Sequence, residues 1–268
     1  STLNLIYMLL KQLFESESST YTYLISCQEK QEAILIDPVL ETLSRDLRIL
    51  ETLDLKLVYA IDTHIHADHV TSAAALREIS NCKVAGPAND ALKCRNINFK
   101  NNDSIIIGNS IKLEAIHTPG HTDSHFSYMI NHASDKLLFS GDSLLINSCG
   151  RTDFQSGSSK ELYNTIKNIF YKMPNDTKVY PAHDYNNNSF STIIDQKQDN
   201  TLISENIDMN AHTLIFRHFE DTYPNIWKLK MRTKRPYIIK NDFQAAISFI
   251  MEHLPDKDYK QIIEIIEN

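Results

Sequence analysis

No stretch of this chain approaches the roughly 20 consecutive apolar residues that a bilayer-spanning helix requires, so a membrane protein of the helical kind is not expected. The opening segment Leu3 to Phe14 is too short to span. It also lacks the basic start and small-residue cleavage site of a secretory signal, and is expected to form the first strand of a sheet. Excess positive charge is missing as well: 27 Lys and Arg face 34 Asp and Glu, a formal net charge of -7. No basic stripe offsets that balance, which argues against a nucleic-acid partner. The one concentrated basic run, Lys228 to Arg235, reads as a solvated face or linker. The four cysteines, Cys27, Cys82, Cys94 and Cys149, have neither metal-knuckle nor disulfide-framework spacing. Reduced thiols in a cytoplasmic compartment are expected, or in the mitochondrial matrix if a transit peptide has been removed. Internal repeats and low-complexity tracts are also lacking.

What remains is the profile of a globular enzyme. At 268 residues, with 42% apolar and 23% charged residues, the chain can bury a sizeable core. Short β-like runs are expected at Leu5 to Leu13, Tyr21 to Ser26, Ala33 to Ile36, Leu57 to Ile61 and Lys83 to Ala85. Others follow at Ser104 to Ile107, Ile111 to Ala115, His125 to Ile130, Leu137 to Ser140 and Lys178 to Tyr180. Helical periodicity covers Leu40 to Leu53, Val70 to Ile79 and Lys160 to Tyr171, with Ser158 or Ser159 as the cap of the last. The pattern is mixed α/β. From Asp195 to Asn206 the chain turns polar. Beyond it, Lys240 to His253 and Asp256 to Glu267 are amphipathic, separated by Pro255. A boundary near residue 205 is expected, with 1–205 as the catalytic domain and 206–268 as a helical extension.

The chemistry is concentrated in Thr63-His64-Ile65-His66-Ala67-Asp68-His69. Four ligand-capable side chains spaced His-x-His-x-Asp-His follow the apolar run Leu57 to Ile61. On extended backbone His64, His66 and Asp68 share a face, and His69 can join them as the chain turns. Imidazoles and a carboxylate converging at a strand end suit a divalent first-row metal. Taken alone the tract also reads as a His-rich surface turn. Three further residues decide between the two. His121 lies in Thr118-Pro119-Gly120-His121, Asp142 in Ser140-Gly141-Asp142, and His183 in Pro181-Ala182-His183. Each follows a β-like run and sits in a turn, so strand ends along one sheet edge would gather them into one cleft.

These motifs resemble the metallo-β-lactamase superfamily, and within it the persulfide dioxygenases. The second resemblance rests on Phe14-Glu15, Ile36-Asp37-Pro38, Thr118 to Asp123, Tyr180 to Tyr185, and above all Cys149-Gly150-Arg151-Thr152-Asp153-Phe154-Gln155. The related glyoxalase II hydrolases usually share only the Cys-Gly-Arg part of that run. The resemblance implies an αββα sandwich with a helical C-terminal extension. It implies a glutathione-dependent sulfur dioxygenase in which His64, His121 and Asp142 hold a single Fe(II), leaving positions for water, the substrate sulfur and O2. The substrates would be glutathione persulfide and O2, with no nucleic acid and no membrane, and with a homodimer as one option. His66, Asp68, His69 and His183 would orient the ligands, or hold a second metal. That last case is the glyoxalase II alternative, with two zinc or mixed metals and a thioester substrate. A third reading is a non-catalytic scaffold that binds partners through its helical tail.

Thr122, Cys149 and Arg151 are the candidate substrate contacts, Arg151 because a guanidinium suits the carboxylates of glutathione. Cys149 also reads as a small core residue, and Arg151 as the ion-pair partner of Asp153. The remaining histidines, His125 among them, are expected in solvent or in structural hydrogen bonds. The chain departs from the family pattern at Ser72 and Ser124, where glycine is common, and at Asn147-Ser148, which bears on the shape of the substrate channel.

Overall fold

In the computed structural model, the described residues are 8–90, 92–152, 155–200 and 202–205. They form two six-stranded sheets packed face to face, with helices on both outer faces. The first sheet runs in sequence order: β1 (Met8–Glu15), β2 (Thr20–Cys27), β3 (Glu32–Ile36), β4 (Lys56–Ile61), β5 (Lys83–Pro87) and β6 (Ile97–Phe99). Its first three strands are antiparallel and the rest parallel. The second contains β7 (Ser104–Ile107), β8 (Ile111–His117), β9 (Phe126–His132), β10 (Asp135–Gly141), β11 (Lys178–Pro181) and β12 (Ser191–Thr192). These too are adjacent in chain order, antiparallel except for β10 with β11.

Side-chain alternation sorts the residues between layers. Tyr23, Ile25, Ile34, Ile36 and Ile61 point inward to meet Ile107, Leu113, Tyr128, Ile130 and Phe139 of the facing sheet. Their neighbours Leu24, Leu35 and Leu57 point outward and pack with Leu50 and Leu76. Those last two belong to α1 (Leu43–Thr52) and α2 (Ala73–Ser80). On the opposite side Met129 and Leu138 meet Leu162, Ile166 and Ile193, carried by α3 (Ser159–Asn168) and α4 (Ile193–Asp199). Burial on both faces explains why β3 reads as the continuous apolar run Ala33 to Ile36, and why β2 is buried along its whole length, with its polar residues Thr20, Thr22 and Ser26 included. The order helix, sheet, sheet, helix is the expected αββα sandwich.

The helix boundaries differ from expectation for local reasons. The first helical segment opens with a 3-10 turn, Leu40–Thr42, before α1 begins. The second starts at Ala73 rather than Val70, because the Val70 carbonyl and the Ser72 amide are engaged by Leu40 and Pro38. The third ends at Asn168 and continues as a separate 3-10 turn, Phe170–Lys172. Ser158 is its cap, its hydroxyl accepting from the Glu161 amide at 3.2 Å. Ile193–Asp199 is helical and runs into the segment read as polar, Asp195 to Asn206. A reciprocal cap between Thr192 and Asp195 starts it, and Ile193 buries. Two strands, β6 and β12, are too short to show periodicity. The expected tail helices, the basic run Lys228 to Arg235 and the whole 206–268 unit lie outside the described residues, as do Leu3 to Tyr7 of the opening segment and Asp153.

Candidate metal centre

Five loops that follow strands build the site. Asp37 follows β3, His64 to His69 follow β4, His121 lies between β8 and β9, Asp142 follows β10, and His183 follows β11. Tertiary pairing brings them together: the Asp62 amide bonds to Ala85, the Phe126 amide to Thr63, and the Ala182 amide to Gly141.

Three side chains converge most closely. The Nε2 atoms of His64 and His121 each lie 3.5 Å from Oδ2 of Asp142, and the three ligand atoms fall within 4.8 Å of one another. The other ring nitrogen of each histidine is tied back. Oγ1 of Thr63 donates to Asp37 at 3.0 Å and accepts from Nδ1 of His64 at 2.8 Å. Nδ1 of His121 donates to the Arg151 carbonyl at 2.7 Å. Both Nε2 atoms are thereby left as lone-pair donors, the outer-shell arrangement that metal-binding histidines use. Burial, followed by the neighbouring imidazoles of His66 and His121, pushes the His64 pKa well down, so its ring is neutral. Burial alone would raise the Asp142 carboxyl, but the charge and hydrogen bond of His183 outweigh it and hold it well below the usual carboxylate range. Two neutral nitrogens and an anionic oxygen, each oriented from behind, fit a divalent first-row cation.

The other four ligand-capable residues form a second group. His66 turns to Asp37, Nε2 to Oδ1 at 2.9 Å. His183 lies between two carboxylates, Nδ1 at 2.6 Å from Asp142 and Nε2 at 2.8 Å from Asp68. Burial opposes charge on both rings, yet the carboxylate partners prevail: His66 is raised to about 9 and His183 to about 11. His69 lies 3.3 Å from Asp68. Thr20 at the start of β2 reaches both His183, at 3.1 Å, and His69, at 3.3 Å. His66, Asp68 and His69 also offer ligand atoms within 4.8 Å of one another. His66 is thus grouped with them and not with His64 and His121.

A cleft of about 560 Å³ opens over the triad, with Asp68 and His183 also in its wall. Leu145, Cys149, Gly150, Arg151 and Gln155 line it further, with Ala67 and Tyr185. Cys149 is fully buried from solvent and packs in the cluster with Leu144 and Leu162. Gly150 has a steric cause: a Cβ there would collide with the Asp142 carbonyl and sit 2.8 Å from Nδ1 of His121. Thr122 is buried, is not among the residues lining the cleft, and its hydroxyl has no hydrogen-bond partner among the described residues. Asp37 and Thr20 were not singled out as site residues by the sequence reading. Asp37 carried a signal, a strand-end Asp before Pro38 that mirrors the strand-end Asp142; Thr20 carried none.

A sandwich with this cleft at its strand ends defines the class. The family model described as Metallo-beta-lactamase superfamily matches residues 16–183, and the chain belongs to that superfamily. Within it the chain belongs to the persulfide dioxygenase family. It is 41% identical over 196 residues to "Persulfide dioxygenase ETHE1, mitochondrial" of Mus musculus, covering 71% of this chain and 74% of that one. A hydroxyacylglutathione hydrolase of Polaromonas is 30% identical over 182 residues, covering 67% and 68%. The crystal structure of ETHE1 from Myxococcus xanthus superimposes with a TM-score of 0.74 at 38% identity, covering 81% of this chain and 92% of that one.

Proposed function

We propose that this chain oxidises glutathione persulfide with O2 and water to sulfite and glutathione, using a single Fe(II) held by His64, His121 and Asp142. The observation that carries the reading is the convergence of His64 Nε2, His121 Nε2 and Asp142 Oδ2 with both Nδ1 atoms tied off. Two histidines and one carboxylate are the donor set of non-haem iron oxygenases. A ferrous ion there supplies the one-electron chemistry toward O2 that zinc lacks.

The chain's own residues do the rest. The neutral ring of His64 and the ionised Asp142 enter the site in their ligating forms, so neither has to lose a proton to bind. The carboxylates Asp142 and Asp68 hold His183 in its protonated form between them. Arg151, in the cleft wall, offers a guanidinium to a carboxylate of glutathione. Leu145 gives that wall an apolar surface against which the substrate sulfur can lie. The name of the mouse relative supports the mitochondrial matrix over the cytoplasm as its compartment. Among the described residues no helix is long and apolar enough to cross a membrane.

Oxygen uptake by the Fe(II)-loaded protein supplied with glutathione persulfide is the test. Absence of uptake with iron occupancy confirmed overturns the reading. The grouping of His66, Asp68 and His69 favours a second reading, a binuclear thioester hydrolase in which these residues would hold a second metal and the pair would supply a hydroxide nucleophile. It requires two metals per chain and hydrolysis of lactoylglutathione without oxygen.

A further inference from the structure

His125 was expected in solvent or in a structural hydrogen bond; it lies against all three ligands. Its side chain is fully buried and lines no part of the cleft. Nε2 accepts the backbone N–H of Asp142 at 3.1 Å. Nδ1 faces two hydroxyls, Thr118 at 2.9 Å and Ser143 at 3.0 Å. The Ser143 hydroxyl donates to the Thr118 carbonyl at 2.8 Å, so its oxygen is left to accept from Nδ1–H. That acceptor behind the ring sets the tautomer and leaves Nε2 with its lone pair toward Asp142. The ring stacks on His64 with centroids 5.0 Å apart and planes 27° from parallel. It meets His121 edge-on at 6.2 Å.

The backbone confirms how close the fit is. Gly141, immediately before Asp142, has φ of +55°, and a Cβ there would collide with Nε2 of His125. The ring therefore occupies the space a side chain at 141 would fill, while its nitrogen fixes the amide of the next residue. The turn that aims Asp142 and the plane that backs His64 are set by one side chain.

We propose that His125 is a positioning residue of the metal centre, fixing the Asp142 loop through its Nε2 acceptor and the plane of His64 through stacking. The proposal rests on the assignment of His64, His121 and Asp142 as ligands. Loss of an outer-shell partner of this kind typically weakens metal binding by about 10- to 100-fold.

The test uses Co(II), whose absorption spectrum reports coordination geometry, titrated into the full-length chain. His125→Phe keeps a ring and removes the acceptor; His125→Gln restores an acceptor at a similar reach. The Phe variant is expected to bind Co(II) about 10- to 100-fold more weakly with a shifted spectrum, and the Gln variant to recover most of the affinity. Wild-type affinity and an unchanged spectrum for the Phe variant overturn the proposal. Should the Phe variant not fold, 15N shifts of His125 in the zinc-loaded wild-type protein decide. The Nδ1–H tautomer supports the proposal and the Nε2–H tautomer overturns it. If the wild-type chain binds no Co(II), the ligand assignment itself fails and the proposal falls with it.

Discussion

Gly150 and Arg151 show how a single residue serves the site through both its parts. The Arg151 carbonyl holds His121 by Nδ1, and the same residue lines the cleft. Gly150 must lack a side chain for Asp142 and His121 to approach. Gly150→Ala is expected to displace one ligand or the other. Overpacking of this kind costs about 1–3 kcal/mol, and iron content per chain should fall with activity; a variant with full iron and normal turnover counts against the close approach. Arg151→Lys leaves the backbone carbonyl in place and removes the fork that pairs with a carboxylate. KM for glutathione persulfide is expected to rise about tenfold, near 1.4 kcal/mol, with kcat little changed. An unchanged KM would overturn the assignment of the guanidinium to the substrate carboxylate.

At the scale of elements, α1 carries a buried charge that the site does not use. Asp46 is fully buried and paired with Arg45 at 2.8 Å, and its Oδ2 has no hydrogen-bond partner among the described residues. Burial raises its pKa from the ordinary 3.8, and Arg45 only partly offsets that. A carboxyl whose pKa rises on folding binds its proton more tightly in the native state. The native state therefore loses stability, relative to the unfolded chain, as pH rises from 3.8 through the raised value. Asp46→Asn, which mimics the protonated form, is expected to shift the urea midpoint upward at neutral pH. The gain should vanish below pH 3.8. An equal gain at both pH values would show that the cause is packing and not the charge. The missed helix α4 belongs to the same scale: its reciprocal Thr192–Asp195 cap is a local signal that outweighs a polar composition.

For the whole molecule, every candidate ligand lies at or before His183 in the chain. Deletion of 206–268 is therefore expected to leave iron stoichiometry unchanged. The apolar positions Ile247, Ile250, Leu254, Ile262 and Ile266 in that segment still need a surface to bury against. We propose that they cover the substrate channel or a homodimer contact. The truncated protein should then show a raised KM or an altered size by light scattering. Unchanged kinetics and unchanged size would remove both alternatives.

Much of the site was legible before any coordinates. The residues His64, His66, Asp68, His69, His121, Asp142 and His183 each follow a strand signal and fall in a turn, and both signals are local in the chain. Periodicity by itself shows a mixed α/β chain, because alternation and apolar runs encode which faces are covered; the two-sheet sandwich was implied by the family resemblance, and strand order is set by tertiary pairing. Which nitrogen of each histidine is free was not legible. It depends on the Thr63 hydroxyl, the Arg151 carbonyl and the Asp37 and Asp142 carboxylates, groups as many as 41 positions from the ring they hold. The pairing of His66 with Asp37, the burial of Thr122 outside the cleft and the place of His125 behind the triad are of the same kind. Chain order alone determined which candidate ligands this protein offers. Their tautomers, charges and partners were decided by the register of strands from two sheets, because hydrogen bonds act over about 3 Å and only tertiary packing brings such distant residues that close.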